Sequence, residues 1–422
     1  MRDGMRRKGL GVAAALLTGV LTLSACSGDG GDDGSNGESS ETGGSGQEDT
    51  DRAAEDANTS AAEITITPDD SADNVGINDD VQVSVADGTI DAVTMTATES
   101  GTEVAGTISA DQTSWVPDIQ LERATQYSLD VQASDSEGRA AHEARTFTTV
   151  SPENSFIGYF TPEDGSTVGV GMPVSLNFDK PITNQADVEA AVQITTSSGQ
   201  EVVGHWFNEQ RLDFRPEEYW QADTEVTVSL AFDGVEGADG LTGVQDRTFS
   251  FTVGRSQIST VDAESKQMQV VRDGEVLRTL QISAGSDETP TYNGQMVISE
   301  KHEETRMNGA TVGFTDDDGE GEYDIPDVPH AMRLSTSGTF VHGNYWANDS
   351  VFGNTNTSHG CIGLDDVQGA DDDSTDAAWF FDESMLGDVI IVVNSPDVEM
   401  APDNGLNGWN MNWADWEAGS AL

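Results

Sequence analysis

The chain has 422 residues and a formal net charge of −57, from 76 acidic and 19 basic side chains. Such a charge repels nucleic acid, so we expect no nucleic-acid partner, and it equally disfavours direct binding to anionic lipid. Apolar residues make up only 36% and glycines number 45, which is typical of a β-rich chain with a disordered part. The acidic excess fits either adaptation to high salt, where ions screen the repulsion, or an ordinary acidic extracellular protein.

Residues 1–25 predict an export signal. A basic start that includes Arg6 and Arg7 precedes the apolar run Leu10–Leu23, which is too short to span a membrane. The signal ends in Leu-Ser-Ala-Cys26, which resembles a bacterial lipobox and implies cleavage before Cys26 and diacylglycerol on its sulfur. An ordinary signal peptide that is cut nearby is the alternative. We therefore expect the chain to be anchored to the outer face of the cell membrane through the lipid on Cys26.

The segment 26–62 predicts a flexible tether. After Cys26 it consists almost entirely of Gly, Ser, Asp, Glu and other polar or small residues, so it lacks the apolar surface that folding requires. A flexible chain of that length spans roughly 30–35 Å. The tether thus holds the folded part away from the membrane while keeping it attached.

Two successive blocks, 63–150 and 151–254, predict immunoglobulin-like β-sandwiches. Short runs such as Val81–Val85 and Val174–Phe178 have apolar residues at every second position, and turn residues separate them. Arg-Thr-Phe near the end of the first block recurs at Arg247 in the second, about 100 residues later, which is the length of one such domain. The repeat indicates two copies of one fold.

The third block, 255–397, predicts a mostly-β domain. Two alternating runs flank Asp273-Gly274, a strong hairpin signal, and Ala377–Phe381 is the best candidate for a short helix. The segment 398–422 contains three tryptophans, Trp409, Trp413 and Trp416. Because exposed indoles need cover, we expect this Trp-rich subdomain to pack back onto the third domain.

Cys361 is the candidate nucleophile, since the only other cysteine, Cys26, belongs to the predicted signal. His342 and His359 offer an imidazole that accepts the thiol proton, and an extended strand would place His359 and Cys361 on one face. Gly360 permits close approach of the backbone, whose N–H groups at 360 and 361 would form an oxyanion hole. A zinc site built from these residues and a carboxylate, or an inert buried cysteine, are the alternatives.

His342 together with Thr-Ser358-His359-Gly360-Cys361 resembles the signature of L,D-transpeptidases with a YkuD-type catalytic domain. The layout of lipobox, tether, two immunoglobulin-like domains, catalytic domain and Trp-rich end is similar to the actinobacterial branch. The resemblance implies that Cys361 is the nucleophile, that His342 is the base, and that the backbone carbonyl of Gly343 is the third partner. It also implies that His359 orients the site and that Gly360 contributes to the oxyanion hole.

The same resemblance implies the residues of the substrate pocket. Met307, Tyr323 and Trp346 fall where the family has its lid and pocket residues, and Ser358 and Gly363 flank the nucleophile. Two positions depart from the family pattern. Gly363 stands where Asn or Arg is common, which removes a side-chain hydrogen bond. Position 343 is often Ser, but the mechanism requires only the carbonyl, which Gly343 retains.

The implied reaction is a two-step acyl transfer without metal or cofactor. Cys361 attacks the carbonyl between the third residue and the terminal D-Ala of a peptidoglycan stem tetrapeptide, and an amine on another stem resolves the thioester as a 3→3 cross-link. Carbapenems acylate the cysteine of such enzymes. One alternative is an L,D-carboxypeptidase, in which water resolves the thioester. A non-catalytic lipoprotein that binds the cell wall, with Gly363 marking a decayed site, is the other.

Overall fold

The computed structural model describes residues 59–78, 80–315, 318 and 320–422. The predicted signal segment, Cys26 and nearly all of the tether lie outside the described residues. Within those residues, no helix combines the length and apolar character that a membrane span requires. The described residues form one unit, and its regular structure is almost entirely β.

The first sandwich pairs a four-stranded sheet with a five-stranded sheet. The spatial orders are β1-β3-β7-β6 and β2-β9-β8-β4-β5. Alternate residues such as Val83, Val85, Leu129 and Val131 are buried between the sheets, as the period of two predicts. The strands are β1 (Glu63–Thr67), β2 (Ala72–Val75), β3 (Gln82–Ala86), β4 (Gly88–Ala97), β5 (Glu103–Val104), β6 (Gly106–Ile108), β7 (Ser114–Pro117), β8 (Gln126–Asp135) and β9 (Ala140–Thr149).

The second sandwich repeats this plan with a small additional sheet, β10-β19-β18. Its main sheets have the orders β11-β13-β16-β15 and β12-β20-β17-β14. The elements are β10 (Ser155–Phe156), β11 (Gly158–Thr161), β12 (Thr167–Val168), β13 (Val174–Phe178), α1 (Gln185–Ala190), β14 (Val192–Thr196), β15 (Val203–Asn208), β16 (Arg211–Arg215), β17 (Glu225–Ala231), β18 (Glu236–Ala238), β19 (Leu241–Gly243) and β20 (Asp246–Val253).

The predicted repeat is visible in the topology. The Arg-Thr-Phe stretches lie in β9 and β20, and each of these strands pairs antiparallel with the preceding long strand and parallel with a short early strand. Phe147 and Phe249 each point into the core of their own sandwich. The sequence motif therefore marks equivalent strands of two similar folds.

The third domain is built on one mixed nine-stranded sheet in the order β24-β29-β21-β22-β23-β28-β27-β26-β25. Its helix α2 (Asp376–Glu383) buries Phe380 in the core cluster that includes strands at the centre of the sheet. The strands are β21 (Gln257–Asp262), β22 (Gln267–Arg272), β23 (Glu275–Ser283), β24 (Gly294–Val297), β25 (Glu300–Asn308), β26 (Asp324–Arg333), β27 (Phe340–Asn344), β28 (Ile362–Asp365) and β29 (Val389–Val393). Three short 3₁₀ turns are Gly309–Val312, Asp349–Val351 and Gly408–Asn410.

The predicted hairpin is confirmed. Strands β22 and β23 pair antiparallel across Asp273 and Gly274, whose φ angles are 51° and 83°. Positive φ at both central residues is the geometry that Asp-Gly favours, because glycine adopts it without strain and aspartate tolerates it. The predicted helix at 377–381 is also observed, extended by one residue before and two after.

The Trp-rich end differs from the prediction, because the second sandwich covers much of its indole surface. The Trp409 and Trp416 indole N–H groups donate to the carbonyls of Gly171 and Val203. The end returns to the third domain mainly through polar contacts, in which Asn410 exchanges hydrogen bonds with Gln295. This segment, including helix α3 (Trp413–Glu417), therefore joins the second sandwich to the sheet that carries the third domain's site.

Candidate active site

Two neighbouring parallel strands, β27 and β28, position the candidate nucleophile and base. His342 on β27 lies opposite Gly363 on β28, and Cys361 immediately precedes β28. Both strands are central in the sheet, and the side chains of Ile362 and Leu364 are fully buried in its core. The backbone that carries both side chains is therefore held by packing and by ladder hydrogen bonds.

Cys361 is buried, with 8% of its surface exposed. Its Sγ lies 3.6 Å from the carbonyl oxygen of Gly338, the acceptor available to a protonated thiol. Burial raises the pKa of the Cys361 thiol to about 11, because the low-polarity surroundings disfavour the thiolate. As the candidate nucleophile, Cys361 thus rests as a neutral thiol that would need a base.

His342 has the tautomer that such a base requires. Its Nδ1 lies 2.7 Å from the carbonyl oxygen of Gly343, and a carbonyl only accepts, so Nδ1 carries the proton. The Nε2 lone pair is then free to accept a proton. Burial lowers the pKa of His342, while the Gly343 hydrogen bond and the charge of Asp366 act in the opposite direction. The pair rests as neutral imidazole and neutral thiol.

The segment from Ser358 to Cys361 is a turn, not the extended strand that the sequence suggested. The Ser358 hydroxyl donates to the carbonyl of Cys361 at 2.6 Å and accepts from the Gly360 N–H at 3.2 Å. Gly360 has φ of 105°, a conformation in which side chains are strained, so glycine is required there. The Gly360 N–H, expected in an oxyanion hole, is already bound to Ser358.

His359 lies at the edge of the site and is partly exposed. Its ring packs against the rings of Tyr323 and Phe314, with centroid distances of 5.0 and 5.6 Å. Its Nε2 lies 3.3 Å from a carboxylate oxygen of Glu322. Burial, followed by the charges of Cys361 and Glu322, raises the pKa of Tyr323 to about 12, so its hydroxyl is a neutral donor. His359 thus links the nucleophile's turn to the aromatic wall.

A cavity of about 170 Å³ opens at Cys361. It brings together seven of the predicted side chains: Met307, Tyr323, His342, Trp346, Ser358, His359 and Cys361. The three predicted glycines do not line it: Gly343 faces Asp366, Gly363 faces Asn344, and Gly360 lines a second cavity. Three lining residues were not predicted: Ile325, Asn344 and Thr357. Thr357 directly precedes the Ser-His-Gly-Cys motif. Asn344 lies two residues after His342 on one strand, so the period of two could have predicted it.

A second cavity, of about 380 Å³, lies beside the first. Its lining includes Pro290, Phe314, Gly338, Thr339 and Gly360. His359 lines both cavities. The turn that carries Cys361 therefore lies between two spaces.

Gly343 has a structural reason in addition to its carbonyl. A Cβ at this position would lie 1.8 Å from Oδ2 of Asp366, so the carboxylate occupies the space of a side chain. Asp366 is buried and bonded to Nδ1 of His330 at 2.8 Å and to the Thr375 hydroxyl at 3.0 Å. The glycine at position 343, where the family often has Ser, is thus coupled to the buried carboxylate of Asp366.

The described side chains around Cys361 do not form a metal site. Across the residues that the structure describes, no group of three or more His, Cys, Asp or Glu side chains is arranged to hold a metal ion. The imidazole Nδ1 of His342 is already engaged with a carbonyl, and His359 faces Glu322. The arrangement favours acid–base and nucleophilic chemistry.

Comparison with known proteins identifies the family. Residues 256–392 match the family model of the L,D-transpeptidase catalytic domain, and residues 72–236 match that of a bacterial Ig domain. L,D-transpeptidase 2 of Mycobacterium tuberculosis is 34% identical over 358 residues, which cover 85% of each chain. The chain belongs to the L,D-transpeptidase family. It is therefore an enzyme, and its immunoglobulin-like part precedes the YkuD catalytic domain, as predicted.

A further relative agrees with this assignment, and a solved structure is also similar. L,D-transpeptidase 5 of Mycobacterium tuberculosis is 31% identical to the present chain. The match covers 86% of the present chain and 78% of the relative. A solved LD transpeptidase in complex with imipenem is 31% identical, with a TM-score of 0.46, and covers 56% of this chain and 97% of that one.

Proposed function

We propose that this enzyme forms 3→3 cross-links between peptidoglycan stems through a thioester on Cys361. The observation that carries the proposal is the pairing of a buried neutral thiol with an imidazole whose Nδ1 is fixed on the Gly343 carbonyl, in one cavity. That arrangement provides a nucleophile, a base with a free Nε2 and a place for the scissile bond.

The first step forms the thioester. Cys361 Sγ attacks the carbonyl that precedes D-Ala, and its proton passes to Nε2 of His342. The developing oxyanion lies near the turn 358–361, where the Cys361 N–H is the available backbone donor, since Ser358 accepts from Gly360. The C–N bond then breaks, and the proton on His342 passes to the leaving amine of D-Ala.

The second step transfers the acyl group. The side-chain amine on the third residue of an acceptor stem attacks the thioester carbonyl, loses a proton to His342 and displaces the sulfur, which recovers its proton. Two adjoining cavities support a reaction that takes two peptides, a donor at Cys361 and an acceptor beside Gly360. Ordering of the acceptor amine would favour aminolysis over hydrolysis by water.

We further propose that the enzyme works outside the cytoplasmic membrane, anchored through lipid on Cys26. The lipobox-like end of the signal and the acidic tether support this placement. Carbapenems would acylate Cys361 as mimics of the donor.

The test is to incubate the purified chain with a stem tetrapeptide and measure D-Ala and peptide dimers together by mass spectrometry. We expect equal amounts of D-Ala and of a 3→3 dimer, and neither product with Cys361→Ala. D-Ala without dimer would identify a carboxypeptidase instead. The absence of both products with the unaltered chain would overturn the proposal.

A further inference from the structure

Asn344 lies on the floor of the catalytic cavity. It is two residues after His342 on strand β27, so both side chains point to the same face of the sheet. Its exposed fraction is only 5%, and it lines the cavity with His342 and Cys361. A buried carboxamide at this place either bonds to the protein or is kept for a ligand.

One half of the Asn344 amide is bonded and the other half is not. Its Oδ1 accepts from the backbone N–H of Ala347 at 3.1 Å, which fixes the orientation of the amide. Within the described part of the chain, Nδ2 donates no hydrogen bond, and it is not among the fully buried polar atoms that lack a partner, so it is open to the cavity that Asn344 lines. A ligand acceptor that enters the cavity would therefore find at Nδ2 a donor that is already oriented by the bond at Oδ1.

Gly363 keeps the amide open. A Cβ at position 363 would lie 3.3 Å from Nδ2 and 3.5 Å from Cβ of Asn344. Any side chain there would cover the Nδ2 group or push it out of place. Gly363 was expected to remove a side-chain hydrogen bond from the site. Instead, it leaves the Nδ2 donor of Asn344 on the neighbouring strand accessible.

We propose that Asn344 is a binding residue for the acyl donor, whose peptide carbonyl accepts a hydrogen bond from Nδ2 while its scissile carbonyl lies at Cys361. An acceptor amine is a poor match, because Nδ2 offers donors only and an amine approaching the thioester brings further N–H groups. The inference rests on the proposed function, since it names the donor peptide of that reaction.

The experiment compares Asn344→Ala, Asn344→Asp and Gly363→Ala with the unaltered chain. The readouts are kcat and KM for D-Ala release from a stem tetrapeptide, and the rate at which iodoacetamide alkylates Cys361. Asn344→Asp retains the shape and the acceptor for Ala347 but removes the donor. Asn354→Ala, a change to an exposed asparagine outside the cavity, is the matched control.

We expect kcat/KM to fall about 3- to 30-fold in Asn344→Ala and further in Asn344→Asp, mainly through KM. Gly363→Ala should lower it in the same direction, and alkylation of Cys361 should stay within about twofold in all variants. Unchanged kcat/KM in both Asn344 variants would overturn the role of Asn344 and leave the proposed function intact. If the unaltered chain released no D-Ala although iodoacetamide alkylated Cys361, both proposals would fall.

Discussion

The cavity at Cys361 and the junction at the C-terminal end differ in what their polar groups contact. At the junction, defined here as Arg215 with Trp409, Trp413 and Trp416, the guanidinium is 2% exposed and lies 4.3–5.3 Å from the centroids of all three indoles. Its terminal nitrogens donate to three backbone carbonyls, those of Pro216, Glu217 and Met411. Only its Nε, among the guanidinium nitrogens, is buried without a hydrogen-bond partner in the described residues.

The cavity leaves its polar groups for a substrate. The Cys361 thiol has one long contact, the Nε2 of His342 is free to accept a proton, and Nδ2 of Asn344 is a donor without an acceptor. Burial lowers the pKa of Arg215 only to about 10, so it stays charged at neutral pH, whereas the catalytic pair is neutral. The junction therefore serves assembly, and the cavity serves chemistry.

Replacing Cys361 should have the largest effect on activity and almost none on stability, which distinguishes the cavity from the junction. Cys361→Ala should abolish D-Ala release and the covalent adduct with a carbapenem, while thermal unfolding changes little, because only the sulfur is lost. Steady-state kinetics, intact mass and a thermal melt measure these outcomes. Residual turnover above about one thousandth of the unaltered rate would contradict the account.

Replacing the base should preserve the nucleophile but slow its use. His342→Gln should reduce kcat/KM about 10²–10⁴-fold, because the thiol loses its proton acceptor. The binding control is KM, which should change far less than kcat. A loss of less than tenfold would assign the base to another group.

Arg215→Ala should destabilise the folded protein by about 2–4 kcal/mol, since it leaves carbonyls unpaired and a gap among the indoles. Denaturant unfolding measures this change, and alkylation of Cys361 under native conditions should be unaffected. Arg247→Ala, in an exposed pair with Asp164, should cost less than about 1 kcal/mol. If the two changes lowered the free energy of unfolding equally, the junction would contribute no more to stability than a surface ion pair.

Gly343→Ser should destabilise the protein by about 1–3 kcal/mol, because its Cβ would meet the Asp366 carboxylate. Activity should fall as well, since the carbonyl that holds His342 must move. Combining Gly343→Ser with Asp366→Ala should cost less than the sum of the single changes in a double-mutant cycle. Additive costs would mean that the two side chains do not compete for space.

The pH dependence of alkylation is the mildest test. With the pKa of Cys361 raised to about 11, thiolate is the minor species at neutral pH and increases as pH rises. The iodoacetamide rate in the absence of substrate should therefore rise about tenfold per unit from pH 7 to 10. For the urea-unfolded chain, the rate should level off above about pH 8.5. A plateau in the native protein near pH 8 would show that burial does not suppress the thiolate.

Local signals predicted much of this molecule. Asp273-Gly274 determined a hairpin because turn chemistry is a property of two residues, and alternation identified the sandwiches because the pleat has a period of two. Cys361 and His342 could be singled out as candidates because the residue types needed for acyl transfer are few.

Other features depend on which strands become neighbours. The role of Asn344 depends on Gly363 across a parallel pairing, and the glycine at 343 depends on Asp366. The C-terminal segment packs against the second sandwich because its indoles enclose Arg215, which lies about 200 positions earlier in the chain. The turn at Gly360 could not be predicted, because an alternation with a period of two does not reveal a positive φ.

The central claim is that Cys361 carries the acyl group, and intact mass after brief exposure to a tetrapeptide donor tests it directly. The account predicts a mass increase equal to the donor without D-Ala and without water, located on Cys361 by peptide mapping and removed by hydroxylamine. D-Ala release that continues in Cys361→Ala, with no adduct on the unaltered chain, would contradict it.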